Sequence, residues 1–95
     1  MMSYKIEFDK RAEKELFNLE KSTRTFILKA LKEFELNFNH EYEKELIKTS
    51  KIKHLKGELK GLFRLRLRSF RVIYEKIDDK LIIYVLKVTD RKDAY

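Results

Sequence analysis

The chain contains no cysteine, no proline, only two glycines and only two histidines in its 95 residues. Without cysteine there can be neither disulfides nor thiolate metal sites. His40 and His54 lie far apart in sequence with no paired carboxylate pattern around them, which argues against a histidine metal centre, and nothing else in the residue pattern calls for a cofactor. The absence of proline-rich or low-complexity tracts leaves no linker, so residues 1–95 read as one domain. No apolar run approaches the ~20 residues that a membrane span needs. The N-terminus also lacks the basic, apolar and small-residue layout of a signal peptide, so the expected location is the cytoplasm.

What is present is enough apolar material to fold and a marked excess of positive charge. Hydrophobic residues make up 43% and aromatics 13% of the chain, which suits a globular domain rather than a disordered one. Lysine and arginine total 23 against 16 acidic residues, a formal charge of +7 that favours an anionic partner such as nucleic acid or an acidic protein.

Alternation of Tyr4, Ile6 and Phe8 against Lys5 and Glu7 predicts a short half-buried strand. Asp9 is placed to cap a first helix in which Ala12, Leu16 and Leu19 recur at helical spacing. Ser22 or Thr23 is expected to cap a second helix whose apolar stripe is Phe26, Ile27, Ala30, Leu31 and Phe34. The two would form a hairpin over a short connection near Glu20 to Ser22. Periodicity weakens from Asn37 to Lys60, where a further helical turn around Glu41 to Ile47 is compatible with the pattern. Gly57 and Gly61 fall where this segment hands over to a strand, as expected of positions needing unusual backbone angles.

Three strands are predicted near 61–68, 70–77 and 81–89. The expected class is therefore α+β: a strand, a two-helix hairpin, then a three-stranded antiparallel meander completing a twisted sheet packed on the helices. In the first of the three, Phe63, Leu65 and Leu67 alternate with Arg64, Arg66 and Arg68. A tight turn at Arg68-Ser69 would pair Leu67 with Phe70, Leu65 with Val72 and Phe63 with Tyr74 on the core face. The same register sets Arg66 opposite Arg71 and Arg64 opposite Ile73. Like charges facing one another are destabilising, and an anion between them would relieve the repulsion. For the second hairpin, a three-residue loop would put Ile82, Tyr84, Leu86 and Val88 in the core and send Lys87 and Arg91 towards the arginine face. A two-residue loop would swap those sets; the longer loop is the expected one, because Asp78-Asp79 lacks the glycine that a two-residue turn prefers.

The candidate site is thus Arg64, Arg66 and Arg71, joined by Arg91 and Tyr95 from the tail. Arginine's planar fork of donors suits phosphate, and such donors stabilise the charge that develops in phosphoryl transfer. RNA carries its own nucleophile, the 2′-hydroxyl, so a protein needs to supply only a clamp, a proton acceptor and a proton donor. Tyr95 is a possible acid or base if flanking arginines lower its pKa. Arg68, at the hairpin tip, reads as a solvent-exposed turn residue, and His54 as a weak alternative base. Lys51, Lys53 and Lys56 read as RNA-binding counter-charge.

The combination of Leu55-Lys56-Gly57, Leu62-Phe63-Arg64-Leu65-Arg66, Phe70-Arg71-Val72-Ile73-Tyr74 and Arg91-Lys92-Asp93-Ala94-Tyr95 resembles the RelE/ParE toxin superfamily, with the closer likeness to its RelE branch. The resemblance covers essentially the whole chain. It implies a RelE-like fold and a cytoplasmic type II toxin that enters the ribosomal A site and cleaves mRNA without metal, leaving a 2′,3′-cyclic phosphate. Its implied partners are the ribosome and mRNA, and an acidic antitoxin that silences it. By position, Arg64 and Arg66 match basic residues that contact the substrate, and Arg71 matches the arginine that clamps the scissile phosphate. Arg91 matches the one that stabilises the transition state, and Tyr95 the C-terminal tyrosine that stacks on a base or assists proton transfer. Asp90 departs from the histidine or lysine that many relatives carry, and its charge would weaken the anion site unless it points away. The alternatives are a ParE-like inhibitor of DNA gyrase and a catalytically impaired relative that only binds its antitoxin.

Overall fold

The computed structural model describes residues 3–91. Strand β1 (Lys5–Phe8) leads into helix α1 (Lys10–Phe17), which Asp9 caps by accepting the Arg11 backbone N–H at 3.1 Å. Ala12 and Leu16 are its buried positions, spaced one turn apart. Helix α2 (Lys21–Asn37) buries Ile27, Leu31 and Phe34, with Phe26 and Ala30 half-buried at the margins of the same stripe. Its N-cap is Glu20, which makes no side-chain cap bond, so the helix starts ahead of Ser22 and Thr23.

The expected two-helix hairpin is incomplete, because a third helix, α3 (His40–Lys48), follows. Asn39 caps it by accepting the Tyr42 N–H at 2.8 Å, and Glu41 and Glu43 lie in its first turn, where negative charge suits the helix dipole. Its inward side is only partly apolar, since the buried position is taken by Glu43. That carboxylate accepts the Tyr74 hydroxyl at 2.8 Å and the Lys76 ammonium at 2.6 Å. A buried ion pair thus interrupts the apolar stripe that a sequence reading looks for, with Tyr42 and Leu46 packed against the core beside it.

The remaining strands are β2 (Ile52–His54), β3 (Leu62–Leu67), β4 (Phe70–Ile77) and β5 (Ile82–Asp90). They form one five-stranded mixed sheet in the order β1-β5-β4-β3-β2, with β1 parallel to β5 and the other neighbours antiparallel. The helix-facing side of the sheet contributes Ile52, Leu65, Val72, Tyr74, Ile83 and Val85, all nearly inaccessible, to a core shared with Ile27 and Leu31. Each such aliphatic burial stabilises the fold by about 1.5–3 kcal/mol. No helix among the described residues is long and apolar enough to cross a membrane.

The β3–β4 register matches the expected one at every pair, including Arg66 opposite Arg71 and Arg64 opposite Ile73. The β4–β5 register does not. Ile77 pairs with Ile82 across a four-residue connection, Asp78–Leu81, in which Leu81 takes φ 55, so Ile83 and Val85 point into the core. Ile82, Tyr84 and Leu86 are only partly buried, contrary to the three-residue-loop expectation. A bulge then shifts the ladder: Tyr74 pairs with Val85 but Ile73 with Lys87, skipping Leu86. Beyond it Val88 returns to the core and Lys87 to the arginine face, as expected, by a route that no loop length could supply.

Candidate functional site

With the helices on one side, the opposite face of the sheet is where the alternating arginines stand. The handover from α3 to β2 builds its near wall. Ser50 adopts φ 65, and Lys51 N–H bonds back to the Leu46 carbonyl at 2.9 Å, so the chain reverses tightly. Lys51 in turn offers its carbonyl to the Arg66 N–H at 2.9 Å, and Lys53 pairs with Arg64. Two rows therefore cross the sheet: Lys51, Arg66, Arg71 and Thr89, then Lys53, Arg64, Ile73 and Lys87.

The first row borders a hollow of about 340 Å³ lined by Lys51, Lys53, His54, Arg64, Arg66 and Arg71, with Ile47, Ser50 and Ile52 completing it. Among the described residues five lysines and arginines line it and no carboxylate does. Like charges on directly facing strand positions repel by about 1–4 kcal/mol, depending on how much water screens them. Part of that repulsion is taken up locally, because Arg71 Nη1 donates to the Arg68 and Phe70 carbonyls at 2.9 and 3.0 Å. The guanidinium is held at the hairpin tip by these bonds while still lining the hollow. A bound anion would find donors from both strands.

Of the residues expected at the site, Arg64, Arg66, Arg71, Lys51 and Lys53 come together in this hollow. Lys56 does not line it and lies exposed on the loop before β3. The Arg91 backbone N–H bonds to the Ser69 carbonyl at 2.6 Å, which seats the start of the tail beside the β3–β4 turn. Tyr95 lies outside the described residues. Asp90 pairs with Phe70, and strand alternation from Val88 directs it to the helix-facing side, across the sheet from Arg66 and Arg71.

Arg68 is more than an exposed turn residue. It sits at φ 57 with its guanidinium carbon 3.9 Å from the centre of the Phe26 ring, tying the hairpin tip to α2. His54 borders the basic hollow, but its ring is stacked on Phe63 at 4.6 Å, and Phe63 is stacked on Tyr74 at 5.2 Å. Burial, reinforced by the neighbouring Glu43 carboxylate, drives the Tyr74 hydroxyl far above its ordinary pKa, and that hydroxyl donates to Glu43 Oε2 at 2.8 Å. Ile47 and Ser50 were not foreseen at the site, since only the α3–β2 turn brings them there.

Comparison with known proteins gives the fold a family. Residues 6–95 match the family described as the ParE toxin of the type II toxin–antitoxin system, parDE. No curated protein matches by sequence. Among solved structures, the RelE–RelB complex from the archaeon Pyrococcus horikoshii OT3 is 26% identical, with a TM-score of 0.69 over 98% of this chain and 100% of that one. A mutant of the E. coli toxin RelE in its free state is 25% identical, with a TM-score of 0.61 over 98% of this chain and 88% of that one. The E. coli RelE mutant in complex with an antitoxin RelBc peptide is 30% identical, with a TM-score of 0.62 over 92% of this chain and 82% of that one. The three-helix, five-stranded fold and the matched family agree: the chain belongs to the RelE/ParE superfamily and is a toxin of a type II toxin–antitoxin system.

Proposed function

We propose that this toxin is a ribosome-dependent endoribonuclease that cleaves mRNA in the A site. The observation that carries the reading is the basic hollow itself, in which Arg66 and Arg71 face each other and no carboxylate of the described residues takes part in the lining. In this reading the scissile phosphate lies between those two guanidiniums, which donate to its non-bridging oxygens. The 2′-oxygen attacks phosphorus, the bond to the 5′-oxygen breaks, and the products are a 2′,3′-cyclic phosphate and a 5′-hydroxyl. The extra negative charge of the transition state is met by Arg64, Arg66, Arg71 and Arg91 with no need for metal. Tyr95 is our candidate for one of the two proton transfers, while Lys51 and Lys53 hold flanking phosphates or ribosomal RNA. The register at Asp90 supports activity, because it turns that carboxylate away from the anion site. An acidic antitoxin is the proposed protein partner, by likeness to the RelE structures solved with RelB or its peptide.

The test is induced expression with mapping of mRNA 5′ ends. Cuts within codons that require ribosomes and persist in a chelator are expected, and Arg71→Ala should abolish them while the antitoxin still binds. The match to a family described as ParE toxins favours one second reading, inhibition of DNA gyrase. Growth arrest with intact mRNA and blocked supercoiling would establish that reading instead.

A further inference from the structure

Beside the basic hollow lies a second one, of about 300 Å³, with a different lining. Its floor and walls are Leu55, Leu59, Leu62, Ile73 and Leu86, and its charged rim is Arg11, Arg64 and Lys87. None of the five aliphatic residues belongs to the hydrophobic core. They form an apolar patch on the face of the sheet that the helices leave open.

Two local features build this patch. Leu59 is 50% exposed on a single 3₁₀ turn, Gly57–Leu59, and the loop around it is bent by Gly57 at φ 68 and Gly61 at φ 94. These backbone angles favour glycine, so the loop's shape, and with it the position of Leu59, is set by the chain's only two glycines. Leu86 is the residue that the β5 bulge leaves unpaired, which lets it join Lys87 on the open face. Arg64 lines both hollows. Arg64 and Arg66 are two positions apart on β3, about 7 Å along the strand.

We propose that this second hollow is a nucleobase subsite: it receives one unstacked base of the single strand whose phosphate lies on Arg66 and Arg71. The inference rests on the nucleic-acid reading of the basic hollow and extends it to base recognition. An extruded base is commonly held between apolar side chains while cations hold its backbone. Here the aliphatic walls meet the faces of the base, Arg64 bridges to the adjoining phosphate, and Arg11 and Lys87 supply the counter-charge at the mouth. The Thr89 hydroxyl, also in the lining, is the uncharged group available to a base edge. The occupant is a base rather than a peptide side chain because Arg64 lines both hollows, so a strand whose phosphate lies on the cation cluster brings its own base to the apolar walls.

The test uses the full chain with methyl-labelled leucine and two probes: a single-stranded 2′-O-methyl hexa-adenylate, which cannot be cleaved, and an abasic hexamer with the same sugar-phosphate backbone. With hexa-adenylate, the Leu59 and Leu86 methyl resonances should move upfield under the ring current of a stacked base. With the abasic strand they should stay in place while the Arg66 and Arg71 amides still respond. Leu59→Ala should weaken binding of hexa-adenylate by about fivefold through the apolar contact it removes, and leave abasic binding unchanged. Unmoved leucine methyls beside responding arginine amides would overturn the base subsite, hand the apolar patch to a protein partner and leave the phosphate hollow standing. Equal methyl shifts with both probes would overturn it as well. No response anywhere would overturn the base subsite on the free toxin, and the mRNA-cleavage reading would then be decided by the ribosome-dependent cuts alone.

Discussion

Removing the Glu43 carboxylate should be the most damaging single change to stability outside the aliphatic core. Glu43 is 5% exposed and holds both the Lys76 ammonium at 2.6 Å and the Tyr74 hydroxyl at 2.8 Å. Glu43→Ala strands an ammonium whose side chain is only 13% exposed, and loss of one partner of a buried pair costs about 3–5 kcal/mol. Against a total stability of about 5–15 kcal/mol, that is a large share. For a domain of this size the melting temperature should fall by about 20 °C. Urea unfolding followed by far-UV circular dichroism measures the loss. The pair itself, by contrast, is dispensable in principle, because removing both charges ends the desolvation problem. Glu43→Leu combined with Lys76→Met should therefore regain most of the stability, short by about 1–2 kcal/mol for the Tyr74 hydroxyl left without its acceptor. A loss under about 1 kcal/mol for Glu43→Ala, the scale of an exposed pair, would refute the reasoning. So would a double variant no more stable than the single one.

Three further outcomes are expected. Burial, with the Asp78 hydrogen bond adding to it, pushes the Tyr4 pKa up from 10.0 to about 12, so its contribution to stability is whole below pH 10 and disappears as the pH rises to about 12. The wild type should therefore lose more stability than Tyr4→Phe over that interval, and parallel stability–pH curves would contradict this. Arg68→Ala should lose about 0.5–1 kcal/mol with the stack on Phe26. Arg68→Gly should melt closer to the wild type, because glycine is at ease at φ 57; a lower melting temperature for the glycine variant would show that backbone conformation does not matter there. Gly61→Ala should cost about 1–3 kcal/mol from its φ of 94 alone, since nothing within 4 Å obstructs a methyl group, and an unchanged melting temperature would rule that strain out.

Local chemistry was legible in the sequence wherever one residue or one period decided the outcome. Asp9 as a cap, the Ile27, Leu31 and Phe34 stripe, and the whole β3–β4 register follow from spacing within a few residues. Helix α3 was obscure because Glu43 sits where an apolar residue would have announced it, and the carboxylate's partners are about 30 positions away. Strand β2 has three residues, too few for any period, yet its pairing with β3 is what carries Lys53 to Arg64. The parallel pairing of β1 with β5 joins the two ends of the chain and leaves no local trace. At the site, composition and alternation identified the arginines. The bonds that fold Arg71 back onto the hairpin carbonyls depend on the turn's conformation and could not be read from residue types.

The bulge in β5 has a consequence for how the gene can change. Every other position of that strand fills a slot in the ladder, so deleting one there would turn the rest of the strand over and exchange its core and solvent sides. Leu86 fills none: Val85 faces Tyr74, Lys87 faces Ile73, and Val88 faces Val72. Position 86 can therefore be lost or regained without re-phasing its neighbours. It gives the toxin one place where the shape of the open face is able to drift while the fold stays in register.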